Sequence, residues 1–171
     1  MDYLYTPWRY QFISSIKADA VCIFCLAANL RKGGNAPRQT TDREWLILYR
    51  GKHAFVILNR YPYTNGHLMI APFDHIADLA SCPLPLLSEV MGMCKRAEVA
   101  LKKVYHPDGF NVGLNLGKSA GAGVEGHLHF HMVPRWIGDA NFVSVIGETR
   151  LLPETLETTF DKLLPLFQRE S

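Results

Sequence analysis

Apolar residues along this chain recur in two rhythms, one of short strand-like runs and one of long helical spacing. WLILYR (45–50) and AFVILN (54–59), parted by GKH, predict a hairpin. RYPYTNGH (60–67) carries Pro62 and an Asn65-Gly66 pair and must turn, and HLMIAP (67–72) predicts a third strand. Over 83–105 the rhythm changes. Leu87, Val90, Met91, Cys94, Ala97, Leu101 and Val104 repeat at helical spacing, and Lys102 and Lys103 suit the negative end of the helix dipole. His106-Pro107-Asp108-Gly109 stops that helix. FNVGLNL (110–116) and HLHFHMVP (127–134) alternate as strands do, on either side of a glycine-rich GKSAGAGVEG (117–126). A last helix is predicted from about Pro153 to Gln168, with Leu152, Leu156, Leu163, Leu164 and Phe167 as its core face. Residues 31–43 are polar and rich in turn formers and read as a loop. Strands, helix, strands and helix in that order predict an α+β fold with a mainly antiparallel sheet.

Composition narrows the function classes. The 171 residues are enough for one domain with a sizeable core. A net charge of +2 argues against a general nucleic-acid binder, and no apolar run approaches the length of a membrane span. The aromatic and polar start, MDYLYTPWRYQF, does not read as a signal peptide. The expectation is a cytoplasmic protein whose four cysteines stay reduced. Cys82 and Cys94 read as packing residues, whereas Cys22 and Cys25 form a C-x-x-C.

The densest chemistry lies in GHLHFHMVPRW (126–136). Side chains of a strand alternate between faces, so His127, His129 and His131 are expected on one face and Leu128, Phe130 and Met132 on the core side. Successive imidazoles would stand about 7 Å apart and the outer two about 13 Å, so one tetrahedral ion cannot easily take all three. Neutral imidazole is a competent nucleophile near pH 7. Attack on phosphorus would split a hard displacement into two easier ones, with the flanking imidazoles orienting the nucleophile and donating to phosphate oxygens. Gly117, Gly121 and Gly123 would let backbone N–H groups approach a charged group. Gly113-x-x-x-Gly117-Lys118-Ser119 is one residue short of a P-loop, and a poor helix start follows it, so it is rejected as one. Lys118 could meet a phosphate or simply be solvated. Arg135 and Trp136 could line the mouth of the pocket or a subunit interface. His53, at a hairpin tip, is expected to be solvent-exposed.

GHLHFHMVPRW resembles the motif of the histidine triad family of nucleotide hydrolases and transferases, and FVILNRYPYTNGHLMIAP (55–72) resembles that family's strand–turn–strand segment. The resemblance covers roughly residues 20–137, leaving 138–171 as a C-terminal extension of a single 1–171 domain. The GKSAGAGVEGHLHFH segment, the stretch at 134–142 and the TPWR start look most like the branch containing diadenosine tetraphosphate phosphorylases and adenylyltransferase-like proteins. The resemblance implies a nucleotidyl transferase or hydrolase acting on diadenosine polyphosphates through a nucleotidyl-His129 intermediate. His131 and His67 would contact phosphate and leaving group, and Asn59 would face the ribose. Asn115 would lie by the phosphate or the nucleophile. Where many relatives carry Gln, Ser or Thr before the triad, this chain has Gly123 and Val124 in a loop one residue longer, so backbone amides or Ser119 would have to serve the leaving group. The same resemblance implies a structural zinc on Cys22, Cys25, His75 and His127, magnesium at most as a companion of the nucleotide, and a homodimer whose sheets join across a two-fold. Other readings stay open: an adenosine phosphoramidase, a hexose-phosphate uridylyltransferase-like enzyme, a nucleotide-binding sensor without turnover, and a zinc-stabilised module.

Overall fold

A computed structural model describes residues 22–29, 42–139 and 152–168. Five antiparallel strands form one sheet in the order β1-β2-β3-β5-β4. They are β1 (Ile47–Arg50), β2 (Ala54–Leu58), β3 (Leu68–Pro72), β4 (Gly109–Leu114) and β5 (Phe130–Arg135). Four helices join them among the described residues: α1 (Ile23–Asn29), the single turn α2 (Asp42–Trp45), the long α3 (Leu84–Tyr105) and α4 (Leu156–Gln168). The α+β class and the antiparallel sheet expected from the sequence are therefore observed.

Every residue of β2 and β3 is buried, which explains why their sequences are continuous apolar runs rather than alternations. Alternation survives in which core each side chain joins. Ala54, Val56, Leu58, Leu68 and Ile70 pack with α3 and α4 on one face. Phe55, Ile57, Met69 and Ala71 pack with Phe24, Ala27 and Ala28 on the other. A sheet sandwiched in this way leaves no polar face on its central strands, and α1 covers the face that will hold the chemistry.

Several boundaries move. α3 starts at Leu84 and buries Leu86, Val90, Met93, Cys94, Ala97, Ala100 and Leu101. Met91, expected on the core face, is instead 56% exposed, because it stands about 100° around the helix from Val90, off the buried stripe of Leu86, Val90, Met93, Cys94 and Ala97. His106 caps this helix in the left-handed region, with φ of 46° and its N–H donating to the Lys102 carbonyl. The last helix starts at Leu156, three residues later than predicted, and Leu152 is exposed. Its buried face is Thr159, Phe160, Leu163 and Phe167, while Leu156 and Leu164 are only partly buried. Residues 31–41, 140–142 and the TPWR start lie outside the described residues.

The histidine strand is corrected at its start. β5 begins at Phe130, so His127 and His129 precede it and only His131 lies within it. β3 pairs with β5 only from Ile70↔Phe130 to Leu68↔Met132. Upstream the chain is held differently: the Leu128 N–H donates to the Ile76 carbonyl at 2.7 Å. The expected sidedness nevertheless holds, since Leu128, Phe130 and Met132 all lie in the helix-side core.

Candidate active site and metal centre

The turn between β2 and β3 builds one wall of the site. Gly66 takes φ of +73°, which only glycine adopts without strain, and its flank faces Leu101 and Tyr105 of α3. The Thr64 hydroxyl donates to the Pro134 carbonyl at 3.0 Å and fastens the turn to β5. His67 follows and is almost fully buried.

Its surroundings assign its tautomer. The Tyr63 backbone N–H, a donor only, meets His67 Nδ1 at 3.1 Å, and Asn59 Nδ2 approaches the same nitrogen at 3.3 Å. Neutral His67 therefore carries its proton on Nε2, which lies 2.9 Å from His131 Nδ1. His131 accepts there, so its own proton resides on Nε2. The Tyr63 ring packs on both, with centroids 4.7 Å from His67 and 6.2 Å from His131. Asn59 spends its amide on His67 and its oxygen on the Tyr61 N–H, so in this structure it holds the turn rather than standing open toward a ribose. His67 likewise sits behind His131, with both ring nitrogens engaged. It also borders a cavity of about 190 Å³ between the turn and the segment containing Glu154 and Thr159, a cavity that His129 does not line.

His129 is buried, 6% exposed, and its Nδ1 lies 2.8 Å from the His127 carbonyl. A carbonyl only accepts, so Nδ1 carries the proton and Nε2 keeps the lone pair. Burial pushes its pKa below the ordinary histidine range, with the carbonyl bond opposing that shift. Burial prevails and favours a neutral imidazole at pH 7, while the carbonyl bond fixes which nitrogen keeps the lone pair. The ring meets His131 edge-on at 5.0 Å and Phe24 at 4.9 Å.

The glycine loop enters as the turn Lys118–Ala120, flanked by Gly117 and Gly121, both at positive φ. Asn115 Nδ2 donates to the Gly121 carbonyl at 3.4 Å, so this asparagine tethers the loop. Lys118 and Ser119 are exposed, and the Lys118 N–H is taken by Glu125. Gly123 is half-buried, and its neighbour Val124 packs beside the Phe24 core. Arg135 lies on the surface, paired with Asp139 and Asn111, and Trp136 Nε1 donates to the Tyr105 carbonyl at 3.3 Å. His53 is half-buried rather than free at a tip.

Cys22, Cys25, His75 and His127 converge, with one donor atom from each within 4.8 Å of the others. Cys25 Sγ lies 3.1 Å from His75 Nδ1 and 3.5 Å from His127 Nδ1. Cys22 Sγ lies 3.4 Å from His127 Nδ1, and the two Nδ1 atoms are 3.3 Å apart. A tetrahedral zinc with two sulfur and two nitrogen ligands sets such edges at about 3.3–3.8 Å. The His127 Nε2–H donates to the Pro72 carbonyl at 3.0 Å, which turns the Nδ1 lone pair into the cluster in the manner of a metal-bound histidine. Burial and the adjacent Cys22 sulfur push the Cys25 thiol up to about 11, and burial drives His127 down to about 4. A cation would favour the Cys25 thiolate and the neutral His127 ring as ligands. The donor set and its geometry fit a closed structural zinc site.

Sequence reasoning missed Phe24 and Tyr63. Phe24 stands inside the C-x-x-C, and Tyr63 in the middle of the turn at 60–67, where neither had a periodic pattern to mark it.

Comparisons with known proteins show what the chain is similar to. The family model described as "HIT domain" matches residues 41–136, so Cys22 and Cys25 lie upstream of the matched span. The chain is 39% identical over 158 residues to an AP-4-A phosphorylase of Mycobacterium tuberculosis, covering 91% of this chain and 79% of that one. It is 31% identical over 145 residues to an adenosine 5'-monophosphoramidase of Saccharomyces cerevisiae, covering 85% and 77%. Among solved structures, a Zn-bound histidine triad family protein from Mycobacterium smegmatis superposes with a TM-score of 0.65 at 28% identity, over 85% of this chain and 92% of that one.

Proposed function

The chain belongs to the HIT-domain family, and from that premise we propose that it is a nucleotidyl transferase or hydrolase that cleaves diadenosine polyphosphates through a nucleotidyl-His129 intermediate. The observation that carries this reading is the fixed, neutral His129, whose Nδ1–H is bound to the His127 carbonyl and whose Nε2 keeps a lone pair.

In the first step His129 Nε2 attacks the α-phosphorus of the substrate. The P–N bond forms as the P–O bond to the departing nucleotide breaks. The departing phosphate oxygen takes the electron pair and, in this scheme, accepts a hydrogen bond from the Nε2–H of His131. Tyr63 and Asn59 set that proton's position through His67. Orthophosphate or water then attacks the same phosphorus, and a proton carried by attacking water passes to a phosphate oxygen of the product or to solvent. The P–N bond breaks and His129 recovers its lone pair. The N–H groups of Lys118, Ala120, Gly121 and Ala122 are already bonded within the protein, so phosphate contacts from the glycine loop would fall to its other N–H groups.

Zinc is part of the proposal. Cys22, Cys25, His75 and His127 would hold it, and bound there it would cross-link the chain without taking part in bond breaking. A homodimer is also part of it. The edge strand β4 exposes Asn111, Val112 and Gly113, which supports pairing of two sheets. Sedimentation at twice the 19.3 kDa chain mass is the expected result, and a monomer refutes it.

Product analysis of diadenosine tetraphosphate with and without orthophosphate tests the reaction. ADP plus ATP, formed only with phosphate, identifies a phosphorylase; AMP plus ATP without phosphate identifies a hydrolase. The similarity to the yeast phosphoramidase favours a second reading, cleavage of a P–N bond by the same nucleophile. Release of AMP from an adenosine phosphoramidate, with diadenosine tetraphosphate left intact, would select it.

A further inference from the structure

The metal cluster and the nucleophile share one aromatic ring. Phe24 lies between Cys22 and Cys25, on the first turn of α1, and is 1% exposed. Its centroid stands 5.2 Å from the His127 ring, which faces the cluster, and 4.9 Å from the ring of His129, the proposed nucleophile. Below it lie Ile47, Phe55, Ile57, Met69 and Ala71 of the sheet. A second link runs through the backbone, where the carbonyl of His127 takes the Nδ1–H of His129 at 2.8 Å.

The two links have different origins. The carbonyl bond is local, between residues two apart. The Phe24 contact comes from a segment more than a hundred positions upstream, held at this spot by its own core residues, by Arg50 donating to the Ala27 carbonyl, and by the convergence of Cys22 and Cys25 with His75 and His127. A short helix of seven residues cannot hold its own position in water. Its docking depends on Phe24, Ala27 and Ala28 in the core and on whatever joins the two sulfurs to the histidines.

We propose that Phe24 is a positioning residue through which the Cys22–Cys25–His75–His127 cluster fixes the catalytic ring of His129. Phe24 closes one side of that imidazole against water and rotation, leaving Nε2 aimed at a single place. Loading the cluster with a metal therefore sets the nucleophile's geometry as well as stability. The inference rests on His129 being the nucleophile. The contact it describes can be measured with no substrate present.

The test uses the whole chain loaded with zinc. A buried, hydrogen-bonded imidazole proton exchanges slowly with water, so the His129 Nδ1–H should give a resolved downfield proton resonance, assigned by its loss in His129→Ala. In Phe24→Ala that resonance should broaden or vanish while bound zinc per chain, read by a colorimetric chelator, stays at one. With diadenosine tetraphosphate, kcat should fall about 100-fold, the size of loss a misplaced catalytic group produces, with KM changed less than threefold. Phe24→Leu should restore most of both readings. Stripping zinc from the wild-type chain should broaden the same resonance. Should Phe24→Ala fail to fold, Phe24→Leu and the stripped wild type decide by that resonance: a Leu variant like the wild type together with broadening on stripping supports the proposal. A sharp resonance in Phe24→Ala, or one that ignores zinc removal, overturns it. A resonance that behaves as expected in a protein that cleaves no nucleotide would leave the positioning intact and refute the proposed reaction.

Discussion

Replacing Gly66 by alanine tests how the turn delivers His67 to His131. The backbone there has φ of +73°, and an alanine in that region costs about 1–2 kcal/mol more than glycine. The added Cβ would stand 2.8 Å from Leu101 Cδ2 and 3.1 Å from Tyr105 Cε2. The leucine methyl can swing away. The tyrosine ring is less able to, since its hydroxyl is bonded to Glu154 and its backbone carbonyl takes the Trp136 N–H. Overpacking of this kind costs about 1–3 kcal/mol, and the smaller half of that range applies because one neighbour yields. Together the two effects destabilise by about 2–4 kcal/mol, or a Tm lower by about 4–16 °C for a chain of this size. Urea unfolding followed by tryptophan fluorescence measures the first figure directly. Gly66→Asn separates the two causes, because asparagine tolerates positive φ better and still carries the Cβ. It should recover part of the loss. Turnover in Gly66→Ala should fall more than its folded fraction explains, since His67 is the next residue. An alanine variant within 0.5 kcal/mol of the wild type and fully active would refute both the strain argument and the placement of His67.

Three further outcomes follow from the site. His129→Ala should lose about 10⁴–10⁶ in turnover while still binding nucleotide by calorimetry, and retained turnover would remove the nucleophile from the scheme. Cys25→Ser should bind zinc more weakly than the wild type and unfold earlier on heating, whereas equal zinc content after dialysis would exclude that sulfur as a ligand. His127 is depressed to about 4 from an ordinary 6.5, so the unfolded chain binds more protons between those values. Stability should therefore fall as pH drops from about 6.5 toward about 4 and level off above pH 7, with the loss steeper in His127-intact protein than in His127→Asn; equal slopes would refute the assignment.

Much of this was legible in the chain. Five-residue apolar runs marked β2 and β3 because a sheet covered on both faces needs no polar positions there. The same feature hid which face each residue takes. Periodicity placed α3 to within one residue at its start, yet it put Met91 in the core, since an apolar residue beside the buried stripe looks the same as one within it. The three histidines were visible as a pattern, but their division of labour was not. His127 turns to the cluster and His129 stops short of the strand because β3 ends its pairing at Ile70. That is a fact of register, written in no local motif. The tautomers of His67 and His131 depend on one backbone N–H at Tyr63, and backbone groups leave no mark on a sequence.

The cluster also has a meaning for the order of assembly. Cys22 and His127 are 105 positions apart, and between them lie four of the five strands and the long helix. A cation gripping both closes a loop of that length, the kind of cross-link that removes about 4–5 kcal/mol of unfolded-chain entropy when it is covalent. It can close only after the sheet has brought the two ends together. A chain still emerging from synthesis, or stalled before the last strand docks, has thiols but no complete binding site. Metal capture would thus act as a completion check, and the residue that would close the loop stands two places before the residue that would do the chemistry.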